Sequence, residues 1–455
     1  MRADAKTVRL GGGSAGAEDR IDPALDLAES GSIDYLIFDS LSESELSLIA
    51  SARRSDPSVP GYDVFTEVRL NAVMPACARN GVKIIGNMGA ADPEGAQNLA
   101  VGIARRLGLT GMRIAAVSGD NVLGLAQALN LKVAETGRSV NAFGDDLVSA
   151  YAYISGDPIV AALQDDADVV ITGRVGDASL FLAPLVHEFG WPADDWDRRA
   201  RGIVIGHLLE CAAQVTGGFF ADPPYKVVPD LDRLGFPIAE VTRDGGAVIT
   251  KLADAGGLVS PATCAEQLLY EVHDPANYIE ADVISDFSGI VFENDGRDRV
   301  RIAGEIRGKP KPRELKVSLG VREGWLGAGT VYYGGPGALD RAKLAAEAAT
   351  RRFERLGLRP SDLKVNFLGV DGLFGSAPDV PASDPWEVGL RIAGRAEDRT
   401  GAAMIAREAS TVLSNNGPAG VSCRQRQYEL KEIVGYYTTF IPREAVTPKV
   451  NVKES

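Results

Sequence analysis

Along the N-terminal half of the chain, short β-branched and apolar runs alternate with stretches whose apolar positions recur every three or four residues. The first pattern predicts strands and the second amphipathic helices. Strands are expected at residues 7–10 (TVRL), 34–38 (DYLIF), 82–86 (VKIIG), 113–117 (RIAAV) and 168–172 (DVVIT). Helices are expected at 23–29, 42–54, 63–79, 93–107, 157–164 and 178–189, two of them opened by Pro23 and Pro93, where the missing N–H is no loss. This alternation predicts an α/β fold, a mostly parallel sheet with helices on both faces.

The pattern then changes. A helix at 203–216 (IVIGHLLECAAQVT) runs into the long loop GGFFADPPYK. From about 236 to 333 come short strands and Gly/Pro turns (PIAEV, AVITK, RVRIAG, ELKVSLG), with one helix at 264–272. The last part reads as a helix at 338–356, a strand at 364–368, and helices around 386–393 and 398–413. The expected organisation is an α/β domain over 1–230, a mainly β region over 231–335, and an α/β region over 336–455 packing with the first. The C-terminal half is thus mixed α+β.

Composition narrows the function. Against 62 acidic residues stand 48 Lys and Arg, so the net charge is −14 and a polyanion such as nucleic acid is repelled. No apolar run approaches the roughly 18 residues a membrane span needs. The start, MRADAKTVRLGGG, lacks the apolar core of a secretory signal. Cys77, Cys211, Cys264 and Cys423 are scattered, forming neither a CxxC motif nor a disulfide framework. A cytoplasmic protein is expected, a homo-oligomer whose partner is a small-molecule substrate.

In open parallel sheets, ligands bind beyond the carboxyl ends of the strands. Polar residues and glycines stand at each expected strand end: Gly11–Gly13 and Gly16, Asp39, Gly86 with Asn87 and Gly89, Gly119 with Asp120 and Asn121, and Gly173 with Arg174, Gly176 and Asp177. The first set matches G-x-G-x-x-G, with Asp39 ending the next strand. The expected helix opens only at Pro23, however, so a pyrophosphate would lack its helix N-terminus and a nicotinamide cofactor is set aside. The glycines, Gly13 among them, are read as a loop shaping a pocket. Arg174 suits bidentate contact with a substrate carboxylate or phosphate, and Asp177 suits helix capping or the site. Asn87 and Asn121 are further candidate contacts. His207, Glu210, Cys211 and Gln214 project from one helix face, which could offer a base, its orienting carboxylate and a nucleophile. Asp120 is a second candidate for moving protons, and the Gly217 and Gly218 amides a candidate oxyanion site. No cofactor is expected; the one metal considered is Mg²⁺, between Asp39, Asp120 and Asp177.

Six segments, SIDYLIFDSLSE, GNMGAADPEGA, ITGRVGDASLFLAPLVHEFGW, GHLLECAAQVTGG, GFPIAEV and LLYEVHDPANYIEADVISDFS, together resemble the acyclic terpene utilisation (AtuA-like) family. This chain departs from the family pattern at Asn87-Met88-Gly89-Ala90, where relatives carry an Asn-Ala-Gly-Gly-like loop, and at Ser42, where they carry Ala. The resemblance implies a setting in terpene catabolism through branched acyl-CoA intermediates and transfers no catalytic residues. The reading that follows is a cofactor-independent hydratase, lyase or isomerase acting on a branched organic acid or acyl-CoA. The alternatives are a hydrolase with Cys211 as nucleophile and a non-catalytic accessory subunit of an acyl-CoA carboxylase.

Overall fold

The structure, a computed structural model, describes residues 6–375, 385–422 and 428–455. Cys423 and the first five residues of the N-terminal segment lie outside the described residues. The first half runs β1 (Thr7–Ala15), α1 (Asp22–Ser30), β2 (Tyr35–Asp39), α2 (Glu43–Ser55), α3 (Thr66–Asn80), β3 (Lys83–Gly86), α4 (Pro93–Arg106), β4 (Arg113–Ser118), α5 (Leu123–Ala128), β5 (Leu147–Ala152), α6 (Asp157–Gln164), β6 (Val169–Thr172), α7 (Asp177–Phe189) and α8 (Trp196–Glu210). Five of these strands pair in parallel in the order β4-β6-β3-β2-β1. The two-residue alternation of β2 explains the layering. Leu36 and Phe38 pack with apolar residues of α1, α3 and α4, while the Tyr35 hydroxyl donates to Glu188 on α7 at 2.6 Å. The chain steps from β1 to β2 to β3, jumps to β4, and returns to insert β6. That reversal lies between β3 and β6, the position at which sheets of this kind form a crevice for ligands.

β1 is longer than expected, and Gly11, Gly12 and Gly13 lie within it rather than in a pocket-shaping loop. A Cβ at Gly12 would stand 2.8 Å from the Leu209 carbonyl oxygen, and one at Gly13 2.8 Å from the Phe38 ring. These glycines let α8 and Phe38 approach the strand backbone, and Gly13 is a packing residue.

Beyond β1 the sheet turns antiparallel. β7 (Pro237–Thr242) pairs with β1 and β8 (Ala247–Lys251) with β7; then come α9 (Pro261–Leu269), β9 (Tyr278–Ile279), β10 (Ile284–Asn294) and β11 (Val300–Lys309). These extend the sheet in the order β1-β7-β8-β11-β10-β9. α8 packs against α7, α9, β1, β7, β10 and β11, and all but one of the residues from 199 to 210 are buried. It starts earlier than the sequence pattern suggested, and it stops at Glu210 because Ala212 takes a left-handed backbone (φ +39°).

By compactness the chain forms two units, Met1–Gly320 with Tyr436–Ser455, and Val321–Gly435. The expected boundary at 230 does not divide the first unit, since β7 continues the sheet of β1. β12 (Glu314–Gly334) leads into the second unit, which continues with α10 (Ala338–Arg355), β13 (Ser361–Leu368), β14 (Glu387–Ala396), α11 (Arg399–Arg407), α12 (Leu413–Asn416), β15 (Val421–Ser422) and the start of β16 (Tyr428–Pro442). Its core sets Ala338, Ala342, Ala345 and Ala349 of α10 beside Val388, Leu390 and Ile392 of β14. The region around 386–393, expected to be a helix, is therefore a strand: its apolar residues alternate with period two. Finally β17 (Lys449–Glu454) pairs antiparallel with β4, Asn451 opposite Ala116, and covers that edge of the sheet.

Gly12→Ala is expected to cost about 1–3 kcal/mol, because the methyl meets backbone that cannot retreat. Gly102→Ala, in α4 with nothing near its Cβ position, is expected to gain about 0.5–1 kcal/mol. Urea unfolding of the two variants checks this contrast.

Candidate active site

The loop after β6 places Arg174 at the crevice with no exposed surface. Its guanidinium donates to Leu41 O at 2.7 Å, to Val175 O at 3.2 and 2.9 Å, and to the Asp177 carboxylate. It also lies 4.5 Å from the Tyr153 ring centroid. The bidentate grip on a substrate expected from sequence is not the geometry found, since most of its donors are engaged within the protein. Arg174 is instead the central positive charge. Asp177 does not cap α7, whose N-cap is Gly176 without a side-chain bond; it pairs with Arg174. The Tyr153 hydroxyl donates to Glu43, which Lys316 also approaches at 3.1 Å. Burial would raise the Glu43 carboxyl, but Tyr153, Lys316 and Arg174 outweigh it and hold the group at about 2.

Asn87, fully buried after β3, joins three strand ends. Its carbonyl accepts from Ser40 N at 2.7 Å, and its amide donates to Asp39 at 2.7 Å and to Asp177 at 3.4 Å. Burial pushes Asp39 up to about 7 against the pull of Arg174, with the charge of Glu210 adding to the rise. Asp120 accepts from Arg174 N at 2.7 Å; burial lifts it to about 6, although backbone N–H groups and the Arg174 charge oppose the rise. Asp120 thus organises the loop that presents Arg174. Asn121 is exposed and accepts from Leu123 N at the start of α5. Among the described residues no three His, Cys, Asp or Glu are placed to hold a metal ion, and Asp39, Asp120 and Asp177 do not form the set considered for Mg²⁺.

His207 and Glu210 meet at the end of α8. His207 Nδ1 lies 2.7 Å from Glu210 Oε1, and Nε2 lies 3.2 Å from Leu268 O. Burial alone would lower the imidazole pKa; the Glu210 carboxylate outweighs it and the net shift is upward, toward an imidazolium donating from both nitrogens. The other oxygen, Glu210 Oε2, is buried with no hydrogen-bond partner among the described residues. Tyr278 packs on His207 (ring centroids 5.2 Å apart), and Glu280 follows it. Burial, then Glu210 and Asp282, push Glu280 up to about 7.

Cys211 and Gln214 do not share the helix face of His207 and Glu210, because α8 has ended and Gln214 lies in a separate short turn. Burial and then Glu210 push the Cys211 thiol well up, which disfavours the thiolate a nucleophile requires. The Gly217 and Gly218 amides donate to Gln214 O and Ala213 O and are engaged in the turn rather than free for an oxyanion. Sequence reasoning missed Glu43, Tyr153, Tyr278 and Glu280. Only the acidic, aromatic run Tyr278-Ile279-Glu280-Ala281-Asp282 offered a signal.

Two outcomes follow. Arg174→Met leaves buried carboxylates without their cation and is expected to cost about 3–5 kcal/mol, measured by urea unfolding. Glu280, with its folded pKa raised, binds its proton more tightly in the folded state than in the unfolded, so its contribution weakens as pH rises from about 4.5 to about 7. Glu280→Gln is therefore expected to melt several degrees above the parent at pH 8 and to lose that advantage at pH 4.5, by calorimetry.

Among the described residues no helix is long and apolar enough to cross a membrane. No curated protein and no solved structure is similar enough to count as a match. The profile described as acyclic terpene utilisation family protein AtuA matches residues 8–452, spanning both units. The chain belongs to the acyclic terpene utilisation (AtuA) family.

Proposed function

We propose that the chain is an acid–base enzyme of the hydratase or lyase type, acting on a branched acyl-CoA thioester or related organic acid in acyclic terpene catabolism. One arrangement carries this reading: the buried carboxyl groups of Asp39, bound to Asn87 at 2.7 Å, and Glu280, two residues from the Tyr278 ring that packs on His207, are both pushed up by burial and, further, by Glu210. Dehydration of a 3-hydroxyacyl group needs a base for the α-proton and an acid for the leaving hydroxyl. The C–H electron pair becomes the new C=C bond, the C–O bond breaks, and the hydroxyl leaves as water once protonated. Two carboxyl groups near neutrality can hold one proton between them and so supply both roles.

The surroundings assign the roles. Asp39 accepts from Asn87 and faces Arg174, which favours its ionised form, so it serves as base. Burial and then the charges of Glu210 and Asp282 favour the protonated form of Glu280 over the opposing pull of Tyr278 and His207, so it serves as acid. His207 orients Glu210 and balances its charge.

The test follows interconversion of branched 3-hydroxyacyl-CoA and 2-enoyl-CoA thioesters by the full chain. Asp39→Asn and Glu280→Gln are each expected to lower kcat/KM by about 10²–10⁴, and Cys211→Ser to leave it near the parent value. The parent's rate should peak near neutral pH. Absence of interconversion, or parental rates in both carboxyl variants, would remove this reading.

A further inference from the structure

A groove of about 580 Å³ opens beside the carboxyl cluster. The backbone after β1, Ala15 to Asp19, forms one side; Glu45 at the start of α2, Cys211 to Gln214 beyond α8, and Gly218-Phe219 complete it. Ala15 is in register with Asp39, and Cys211 adjoins Glu210, so the groove reaches the strand-end level of the proposed reacting groups.

Its charge is one-sided. Glu18, Asp19 and Glu45 line it, and no Lys, Arg or His is among the described lining residues. Asp19 accepts from Ala15 N at 2.8 Å, and Glu45 accepts from Ser42 N at 3.0 Å, which fixes both side chains at the groove. Of the nearby cations, Lys226 pairs with Glu266 at 2.6 Å and lies on the Phe220 ring, and Arg69, buried behind the wall with its guanidinium on Ala17 O at 2.9 Å, pairs with Asp63 at 2.8 Å. A free carboxylate or phosphate entering the groove meets repulsion from three acidic side chains, with no cation among the described lining residues to offset it. Ala15, Ala17, Ala213 and Phe219 supply apolar surface instead.

Phe219 is the unusual member. It is 90% exposed and holds a left-handed backbone (φ +61°), which a bulky side chain rarely adopts. The turn fixes that conformation: Gly218 N donates to Ala213 O at 2.7 Å, and Gly217 is itself left-handed. An aromatic ring kept in water on a strained backbone at the rim of a groove has much to gain by covering apolar matter there.

We propose that this groove binds an uncharged, hydrocarbon-bearing portion of the ligand, and that Phe219 packs over that portion and selects for it. The inference rests on the reading of the carboxyl cluster as the reacting end, but its test needs no turnover. N-Acylglycinamides with acyl chains of increasing length are titrated calorimetrically into the full chain, beside the matching N-acylglycines, which differ by carrying a free carboxylate. For the amides, Kd is expected to fall about three- to fourfold per added methylene until the groove is filled. The acids are expected to bind at least about tenfold more weakly, one factor of ten being a modest charge penalty. Phe219→Ala is expected to flatten the chain-length dependence with unchanged melting temperature and molecular mass, and Phe219→Leu to retain most of it. Equal binding of acids and amides, or an unaltered slope in Phe219→Ala, overturns the proposal. A fall in molecular mass in Phe219→Ala also overturns it, by showing that the ring covers a second copy of the chain. Because Asp39 and Glu280 are untouched in these variants, loss of the hydratase reading and loss of this one are told apart.

Discussion

The Arg174 guanidinium, buried completely among carboxylates, is the interaction on which the arrangement of the crevice depends. An isolated ion so placed is costly to desolvate, and it is tolerated because Asp177 pairs with it, Leu41 and Val175 carbonyls accept from it, and Tyr153 lies on its face. These partners come from three parts of the chain. Leu41 follows β2, Tyr153 follows β5, and Asp177 begins α7, so satisfying one cation brings three loops to one place. The same charge holds Glu43 ionised and tempers Asp39. Glu280 is pushed up by burial and by Glu210 and Asp282, against the pull of Tyr278 and His207.

Sequence patterning made the parallel core legible because its strands are short apolar runs flanked by helices with clear starts. The crevice was legible too, since Asn87, Arg174 and Asp177 follow from the rule about strand ends. Glu280, Tyr278, Tyr153 and Glu43 were hidden for a different reason. They enter from an antiparallel extension, an unforeseen strand and a helix start, and only folding brings them together. The region around 386–393 was misread because it combines short apolar runs with small residues that suit either state, and its neighbours in the sheet decide the outcome. The role of Arg174 was misjudged because residue type indicates how many donors exist but not which are already used.

Glycine has two distinct uses here. Gly12 and Gly13 occupy a strand interior, where absence of a side chain lets Leu209 and Phe38 come close. Because Leu209 precedes Glu210, close approach of α8 to β1 also fixes where the unpartnered Glu210 oxygen sits. Packing in this part of the core therefore sets the position of a chemical group, which links stability to proton transfer through the geometry of one helix end.

The last strand carries a consequence for the order of assembly. β17 covers the open side of β4 (Asn451 opposite Ala116), and the Ser455 hydroxyl accepts from Met112 N across a separation of 343 residues. On a ribosome, β4 is made early and its partner very late. Throughout that interval β4 presents unpaired N–H and C=O groups along a buried-type strand, Ile-Ala-Ala-Val, the kind of edge to which foreign strands add. Chaperone demand and misassembly during synthesis should then be governed by the delay before residues 449–454 emerge, a property of chain order rather than of the finished fold.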